Sequence, residues 1–451
     1  MVRQVKQPNT PGWKAVLAVT VAAGGLLWHV LACIESPMAF SPDGKDLALV
    51  VSEDVLGKKV HLVAERTFRL MMLADGKTVR QIEQTDSHLL TGPAYSPDGK
   101  HICYFRIPLL TKEQADTLRV VVKKRADALA EVIALEEVAP GDPQPVAKPF
   151  GQSLLELDEE ADVGLPPAKA AAEFHRSALL NPATRVTLVV RDAKPPYAVV
   201  AEHAFDLSVY NFMSKNPGEN LGTSYVFDRP QYTPDGQTVY ASLGNVVGAV
   251  DLQTGDGRLI ACPALLARLS PDGKTLAYWS GSGIAFAQTD GSRTTHVRFK
   301  KDFSPNGVVW ADNRTLRILV TEDRKLTIAS LNSDGTPGGS MPLPKVDDQM
   351  PQVELALAPN GRHVVVGQGK LVRFCDGKGK VLGQWAAESD RQVLAQPTFS
   401  PDGRRVAMKL VVDPKDGRSH TQAVVFFSPD GKELSRVKIP PPKPGPKTGG
   451  R

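Results

Sequence analysis

Five residues, Ser41-Pro42-Asp43-Gly44-Lys45, decide the fold because the chain repeats them. Identical or closely related stretches stand at residues 96–100, 233–236, 270–274, 358–362 and 400–404. In such a stretch, proline presets φ for the first central position of a tight turn. The Ser and Asp side chains bond to nearby backbone amides, and glycine adopts the left-handed conformation that closes the turn. Apolar, strand-like residues follow, so each recurrence predicts one β-hairpin.

A second family of turns, built on Asp-Gly, falls later in each repeat, as at residues 75–77 and 255–257. Two hairpins per repeat make four antiparallel strands. Few strand residues follow Ser428-Pro429-Asp430-Gly431-Lys432, so we assign this stretch to the second hairpin of the last repeat. A degenerate turn at residues 310–316 marks the fifth repeat. Seven repeats result, and they start near Pro37, Pro93, Pro230, Leu266, Val308, Glu354 and Pro397.

The spacing of the first turns identifies the architecture. Successive turn prolines, or the residues in their place, lie 55, 137, 37, 40, 48 and 42 positions apart, and four-stranded propeller blades take about 40–45 residues. Gly and Pro are plentiful, at 38 and 36 residues, and only 6% of the residues are aromatic, which excludes a coiled coil or a long helical bundle. The sequence predicts an all-β fold, a seven-bladed β-propeller. Six or eight blades stay open because the fifth repeat is degenerate.

The pattern Phe-Ser-Pro-Asp-Gly-Lys-x-Leu-Ala stands at residues 40–48 and, from its serine onward, at residues 270–277. It resembles the repeat of TolB-type, WD-repeat-like β-propellers of the bacterial envelope, and the resemblance covers residues 36–439 apart from the insertions. Propellers of this kind occur in periplasmic scaffold proteins, in the non-catalytic domain of prolyl-oligopeptidase-type peptidases and in bacterial surface proteins. The resemblance therefore implies the blades and leaves the function open.

The N-terminus predicts export or attachment to a membrane. Residues 15–34 contain no formally charged side chain and follow Arg3, Lys6 and Lys14. As a helix this segment would be about 30 Å long, which is the thickness of the hydrocarbon core. The preceding positive charges favour a cytoplasmic N-terminus. We expect residues 1–35 to be a cytoplasmic head and a membrane anchor or signal segment.

Three fates of this segment are open. Our preferred interpretation is a retained signal anchor, which makes the protein single-pass in the cell membrane with the propeller outside the cytoplasm. A cleaved signal peptide would instead give a secreted or periplasmic protein. In the third case Val30-Leu31-Ala32-Cys33, which resembles a bacterial lipobox, makes Cys33 the lipid-modified end of a lipoprotein.

The first turns of the second and third repeats are 137 residues apart, which indicates an insertion in the second blade. Residues 111–114 match a helix capping box and precede an apolar stripe of helical period. We therefore predict a helical insertion at about residues 108–184, within a propeller domain that covers residues 36–439. Residues 440–451 are rich in proline and basic residues, and we expect a disordered tail there.

Composition limits the classes of partner and site. The net charge is +5, but residues 1–14 contribute three cations and residues 438–451 contribute four, with no acid in either, so −2 remains for the rest. A nucleic-acid binder needs a basic patch on its folded domain, so we expect no nucleic acid as partner. The four cysteines form no CxxC, and no HExxH occurs. We therefore predict no metal, no other cofactor and no catalytic residue.

One surface is a candidate for binding a partner. An irregular segment after the strands of the second blade carries Tyr210, Phe212, Tyr225 and Phe227, and long loops on a rigid scaffold often bind partners. Packing beneath the loop is the other role open to these aromatic residues. The segment and the helical insertion are expected on the face opposite the short hairpin turns. The turn-bearing face is expected to be smooth.

These observations favour a non-enzymatic protein-binding or scaffold propeller, displayed outside the cytoplasmic membrane, whose partner is another envelope protein. The alternative is an enzyme, a hydrolase or lyase whose site lies in the central funnel of the propeller. Residues of such a site would come from several blades and leave no local motif, so the fold alone does not choose between binding and catalysis.

Overall fold

The computed structural model describes residues 38–54, 66–108, 184–207, 229–243, 246–261, 264–279, 283–298, 304–322, 325–343, 354–368, 370–389, 392–412 and 420–441. These ranges contain 29 β-strands. They form seven antiparallel blades, which confirms the all-β, seven-bladed propeller and excludes six or eight blades.

The strands of each blade follow one another in chain order. Blade I contains β1 (Ala39–Phe40), β2 (Leu47–Asp54), β3 (Arg66–Ala74) and β4 (Thr78–Thr85). Blade II contains β5 (His88–Leu90), β6 (Ala94–Tyr95), β7 (His101–Pro108), β8 (Thr184–Asp192) and β9 (Val199–Leu207). Both β5 and β6 pair with β7, so they are two pieces of one first strand. Blade III contains β10 (Gln231–Tyr232), β11 (Thr238–Leu243), β12 (Val246–Asp251) and β13 (Gly257–Ala261).

The remaining four blades are regular. Blade IV contains β14 (Leu265–Leu269), β15 (Thr275–Trp279), β16 (Gly283–Gln288) and β17 (Thr294–Arg298). Blade V contains β18 (Ser304–Trp310), β19 (Thr315–Glu322), β20 (Lys325–Asn332) and β21 (Pro337–Pro342). Blade VI contains β22 (Glu354–Leu357), β23 (His363–Gln368), β24 (Leu371–Asp376) and β25 (Val381–Ala386). Blade VII contains β26 (Gln392–Phe399), β27 (Val406–Val412), β28 (His420–Phe427) and β29 (Glu433–Lys438).

The core lies between the blades. Seven apolar clusters occupy the seven junctions between neighbouring blades, including the junction of blade VII with blade I, so the ring is closed. The middle strands contact a neighbouring blade on each face and are almost wholly buried, as β27 shows. Their sequences are consequently apolar runs, without the alternation of apolar and polar residues that a half-exposed strand has. The fourth strands lie at the rim, and β21 and β29 are mostly exposed.

Blades VII and I close the ring without exchanging a complete strand. Glu53 of β2 pairs with His420 of β28, which joins the two blades into one eight-stranded sheet. Beside this pairing the rings of Phe40 and Phe426 meet edge to face, with centroids 6.3 Å apart. We call this junction the seam. Burial of apolar surface from the first and last blades holds the seam together.

Two further sequence predictions concern single repeats. Residues 428–432 join β28 to β29, which confirms that they form the second hairpin of the last blade. Blade II is interrupted between β7 and β8, at the position where the sequence predicts the insertion. The helices predicted for the insertion lie outside the described residues, as do the predicted anchor at residues 15–34 and the tail after Pro441.

Candidate functional site

The first and third turns of every blade lie on one face of the ring, because antiparallel strands alternate in direction. We call it the turn face. In blade I the amide of Asp46 donates to Ser41 Oγ at 2.9 Å, Ser41 Oγ donates to Asp43 Oδ1 at 2.6 Å, and the amide of Lys45 donates to Asp43 Oδ1 at 3.1 Å. The same set recurs in blades II, III, IV and VII. The repeated aspartates therefore serve the turns, as the sequence predicts.

These turn aspartates are held as anions by their own turns. In blade II the hydrogen bond from Ser96 and the amide of Lys100 lower the pKa of Asp98 to about 2. The lowered pKa follows from hydrogen bonds to the charged form. Such a carboxylate is a stable acceptor, and it is unsuited to act as a general acid or base near neutral pH.

The first turns of neighbouring blades pack against one another. In four blades the glycine of the first turn lies against the proline of the preceding blade's turn, in the pairs Gly99 with Pro42, Gly236 with Pro97, Gly273 with Pro234 and Gly44 with Pro401. At Gly273, where φ is +73°, a Cβ atom would lie 2.4 Å from Pro234 Cδ. Glycine is therefore required both for the backbone conformation and for the close approach of the next turn.

The turn face is not smooth, contrary to the expectation from its short turns. A recess of about 420 Å³ opens between the turns of blades II, III and IV. We call it the turn-face recess, and it is lined by Pro97, Gln231, Tyr232, Pro234, Leu269, Ser270 and Pro271. Its three prolines are exposed at the rim.

Two polar side chains of the turn-face recess, Gln231 and Ser270, are hydrogen-bonded within the fold. Gln231 Nε2 donates to the carbonyl of Ala267 at 2.8 Å, and Gln231 Oε1 accepts from the amide of Leu269 at 2.9 Å. Ser270 Oγ donates to Asp272 at 2.7 Å. What the recess presents to a ligand is therefore proline rings, the half-buried ring of Tyr232 and polar atoms of the turns.

A second concavity, the seam cleft, lies on the outer side of the seam and has a volume of about 500 Å³. Blade I contributes Asp75, Gly76, Lys77 and Val79, and blade VII contributes Arg405, Phe426, Leu434, Ser435, Arg436, Val437 and Lys438. Four of these side chains are cations and one is a carboxylate. The seam cleft is consequently basic, although the sequence between the two termini has a small negative net charge.

The seam also contains cations that bond to backbone carbonyls. Lys409 is fully buried, and its Nζ donates to the carbonyl of Val50 at 2.7 Å. Arg69 is fully buried as well and donates to the carbonyl of Pro440 at 2.8 Å. Arg405 donates to the carbonyl of Gly44, and its guanidinium lies 5.7 Å from the centre of the Phe40 ring. Positive charge is thus built into the contacts that close the ring.

The junction of blades I and II carries a compact charge network. Arg106 makes two hydrogen bonds of 2.8 Å to the carboxylate of Glu83, and Arg191 reaches Glu83 Oε2 at 2.7 Å. Tyr104 donates to Glu83 and accepts from Arg191 Nε at 2.7 Å. Arg106 also donates to Glu202 at 2.8 Å. We call this set the Glu83 network.

The Glu83 network is neutral as a whole and its members satisfy one another. Burial opposes the ionisation of Glu83, but the hydrogen bonds from Arg106 and Tyr104 and the charges of both arginines outweigh it and lower the pKa of Glu83. The hydrogen bond to Glu83 raises the pKa of Arg106. Perturbed pKa values mark functional sites and structural ion pairs alike. Here the closed set of partners indicates an ion-pair network that joins two blades.

Charged side chains on or beside the first strands also bond to the backbone. Arg268 donates to the carbonyls of Val308 at 3.1 Å and Ala267 at 2.8 Å. Arg229 donates to the carbonyl of Met38 at 3.2 Å. These arginines tie the inner strands of different blades together, which is a structural role.

Several residues singled out by the sequence lie elsewhere. Cys33 and the four aromatic residues Tyr210, Phe212, Tyr225 and Phe227 are outside the described residues, so lipidation and partner binding at these positions stay predictions. Cys103 and Cys375 are free thiols on strands and are fully buried. Burial raises the pKa of Cys375 to about 11. Both cysteines are therefore core residues of the blades.

Two features are absent from the described residues. Across these ranges no helix has the length and hydropathy that a membrane crossing requires. In the same part of the chain no three His, Cys, Asp or Glu side chains come together in an arrangement that could hold a metal ion.

Sequence reasoning missed both concavities. The rim of the turn-face recess consists of the repeat prolines. These prolines are visible in the sequence, but the repeat pattern predicts only that they form turns. The seam cleft has no local signal, because Lys77 and Lys438 come from opposite ends of the propeller and meet only when the ring closes.

No protein-family model and no curated protein matches the chain. Among solved structures, the β-propeller domain of Cps50 (Swd1) from Myceliophteria thermophila is similar with 13% identity and a TM-score of 0.33, over 47% of this chain and 86% of that domain. A chain of a mitotic checkpoint complex is similar with 15% identity and a TM-score of 0.39, over 56% of this chain and 76% of that one. The description of seven blades rests on the strand pairing and not on these likenesses.

Proposed function

We propose that the protein is a non-enzymatic protein-binding or scaffold β-propeller, displayed outside the cytoplasmic membrane, whose partner is another envelope protein. The turn-face recess carries the proposal. It is open and is held by turns that pack against one another, and its side chains Gln231 and Ser270 are already bonded within the fold. Such a surface suits an extended or turn-forming stretch of a partner chain, since long-lived polar anchors for a small molecule are lacking among the residues that line it.

The location outside the membrane rests on the sequence of residues 15–34 and the basic residues before it. Fractionation of cells is expected to place the full chain with the membranes, and removal of residues 1–34 is expected to release a soluble propeller. Lipid labelling that is lost in Cys33→Ser would identify a lipoprotein instead of a retained anchor. A native full-length chain in the cytosol would overturn this part of the proposal.

A matched pair of variants tests binding at the turn-face recess. Pro271→Glu places a charge on its rim, whereas Pro359→Glu makes the same change at the equivalent turn of blade VI, outside the recess. Both prolines are exposed. A photo-reactive residue in place of Lys274, next to the recess, would report the partner in intact cells by cross-linking.

The proposal predicts a cross-linked partner for the wild-type chain, its loss in Pro271→Glu and its retention in Pro359→Glu. Equal cross-linking in all three proteins would remove the recess as the binding site. If no protein is cross-linked or co-purified with the full chain from solubilised membranes, the binding function itself is wrong.

A further inference from the structure

Blade III differs from the other six blades in the charge of its turns. The residue that follows the turn glycine, or the residue in its place, is a cation in every other first turn, namely Lys45, Lys100, Lys274, Arg314, Arg362 and Arg404. Blade III has Gln237 at this position. Its third turn, residues 251–257, adds Asp251 and Asp256 and also contains no lysine or arginine. The turn face is therefore acidic at blade III, which is the middle blade of the turn-face recess.

The first-turn carboxylate of blade III is an anion without a counter-charge in its own turn. Thr233 Oγ1 donates to Asp235 Oδ1 at 2.5 Å, and the amide of Gln237 donates to the same oxygen at 3.0 Å. These hydrogen bonds lower the pKa of Asp235, so the group is ionised at neutral pH. In blade II, by contrast, Lys100 Nζ lies 3.3 Å from the carboxylate of Asp98. The fold thus holds Asp235 as an anion and leaves its charge exposed to a ligand.

The first and third turns of blade III are in contact, so their charges form one surface. The amide of Leu252 donates to the carbonyl of Gln237 at 2.8 Å. Asp251 is half-buried and accepts from amides of its own turn, whereas Asp256 is exposed. We call Asp235, Asp251 and Asp256 the acidic patch.

One arginine and one histidine stand beside the acidic patch. Arg258 donates to the hydroxyl of Tyr240 at 3.0 Å and to the carbonyl of Thr289 at 3.2 Å, so these hydrogen bonds go to neutral oxygens. His203 lies against Gly255, where a Cβ atom would be 2.6 Å from its Nδ1. With Arg258 counted and the histidine taken as neutral, the patch and its neighbours keep a net charge of −2.

The turn-face recess supplies ring surfaces next to this charge. Pro234, which precedes the first aspartate of the patch, is one of its three rim prolines, and Tyr232 contributes a half-buried ring. Aromatic side chains bring a large, flat apolar surface to such contacts. A ligand in the recess therefore meets rings, and its neighbouring groups meet carboxylates.

From this arrangement we propose that the turn-face recess binds a basic segment of a protein partner in which lysine or arginine stands beside an aromatic residue. The aromatic ring packs on the rim prolines, and the cations pair with the acidic patch. This inference rests on the proposed protein-binding function and adds the chemistry of the partner segment. Attraction between opposite charges would raise the rate of association and make it sensitive to salt.

The arrangement agrees with the loss of binding expected for Pro271→Glu. Pro271 belongs to the blade IV side of the recess, where the aromatic ring packs. Packing of that ring would take the new carboxylate out of water, and this desolvation weakens binding although the segment is basic.

The test uses the purified full chain in detergent and three fluorescein-labelled peptides of twelve residues. All three contain the same two phenylalanines. The positions beside them are lysine and arginine in the basic peptide, glutamine in the neutral peptide and glutamate in the acidic peptide. Binding is followed by fluorescence anisotropy at low and at high salt.

Two exposed glutamines of blade III allow the charge to be changed in both directions without removing a turn aspartate. Gln237→Lys with Gln253→Lys adds two cations beside the acidic patch, and Gln237→Glu with Gln253→Glu adds two anions. The matched control, Gln384→Lys with Gln422→Lys, makes the first change at two exposed glutamines of blades VI and VII, which are not among the residues that line the recess.

We expect the wild-type chain to bind the basic peptide at least about tenfold more tightly than the acidic one. The lysine pair in blade III should weaken the basic peptide about fivefold and the glutamate pair should tighten it about as much, because each exposed charge pair contributes little by itself. The control should change it less than about twofold. Replacing both phenylalanines by serine should weaken the basic peptide at least about tenfold.

Three results would overturn the inference. They are no saturable binding of the basic peptide to the wild-type chain, no preference for the basic over the acidic peptide, or equal effects of the blade III lysine pair and the control. The test is separate from that of the proposed function. If the wild-type chain and the blade III lysine pair capture a partner from membranes equally well, the inference fails while the proposed function stands. If no partner is captured, the proposed function itself fails.

Discussion

The two junctions of blade I use charge in opposite ways. At the junction with blade II, the cations of Arg106 and Arg191 meet the carboxylates of Glu83 and Glu202. At the seam, Lys409 and Arg405 donate to carbonyl oxygens and further cations line the seam cleft. A network that neutralises itself stabilises the fold and offers little to a ligand. Exposed cations that line an open cleft are the ones a partner can reach.

The strongest test of this comparison removes the carboxylate of the Glu83 network. Glu83→Ala leaves two largely buried arginines without their counter-ion, so the free energy of unfolding should fall by about 3–5 kcal/mol. Glu202→Ala is the control, because the side chain of Glu202 is 46% exposed and an exposed pair contributes less than about 1 kcal/mol. Urea denaturation measures both. Equal losses would mean that the network is not the stabilising part of the junction.

The junction of blades III and IV gives the second-largest expected effect. Gly273→Ala adds a Cβ atom 2.4 Å from Pro234 Cδ at a φ of +73°, whereas Gly291→Ala adds one at a φ of +80° with nothing within 4 Å. Strain in the left-handed conformation should cost about 1 kcal/mol in both variants, and the clash should add about 1–2 kcal/mol at Gly273 alone. Thermal unfolding of the two proteins gives the difference. Identical melting temperatures would show that the turns do not support one another.

At the seam the expected loss of unfolding free energy is smaller. Lys409→Met keeps the aliphatic stem and removes a buried cation together with its hydrogen bond to the carbonyl of Val50. The variant removes one buried hydrogen bond to a backbone carbonyl, so a loss of about 1–2 kcal/mol is expected. The urea midpoint is the readout. A loss as large as that of Glu83→Ala would abolish the distinction between the two junctions.

The smallest effect is a dependence of the unfolding free energy on pH at the junction of blades I and II. The folded-state pKa of Glu83 is lowered from an ordinary value of 4.5, so its contribution to stability is present above that pH and is lost as the pH falls through the folded-state value. The stability difference between wild type and Glu83→Gln should therefore shrink below about pH 4.5. The turn aspartates are common to both proteins and cancel. Glu202→Gln, at an exposed carboxylate, is the control, and its difference from wild type should change much less over the same range.

The number of blades could be predicted from the sequence because each turn is specified by neighbouring residues. In blade I the set from Ser41 to Asp46 contains its own donors, acceptors and glycine. The fifth repeat shows the same principle in degenerate form, since Asp312 still accepts from the amides of Arg314 and Thr315. Turns that neighbouring residues specify in this way can be recognised in the sequence without knowledge of the fold.

The sequence by itself thus determined the hairpins, their count and the position of the interruption in blade II. Only the tertiary structure decided which charges neutralise one another and which remain available. Glu83 and Arg191 are 108 positions apart, Val50 and Lys409 are 359 apart, and no pattern along the chain relates them. Contacts between blades depend on closure of the ring, which brings the first and last blades together. For that physical reason the seam cleft, with lysines from both, exists only in the folded protein.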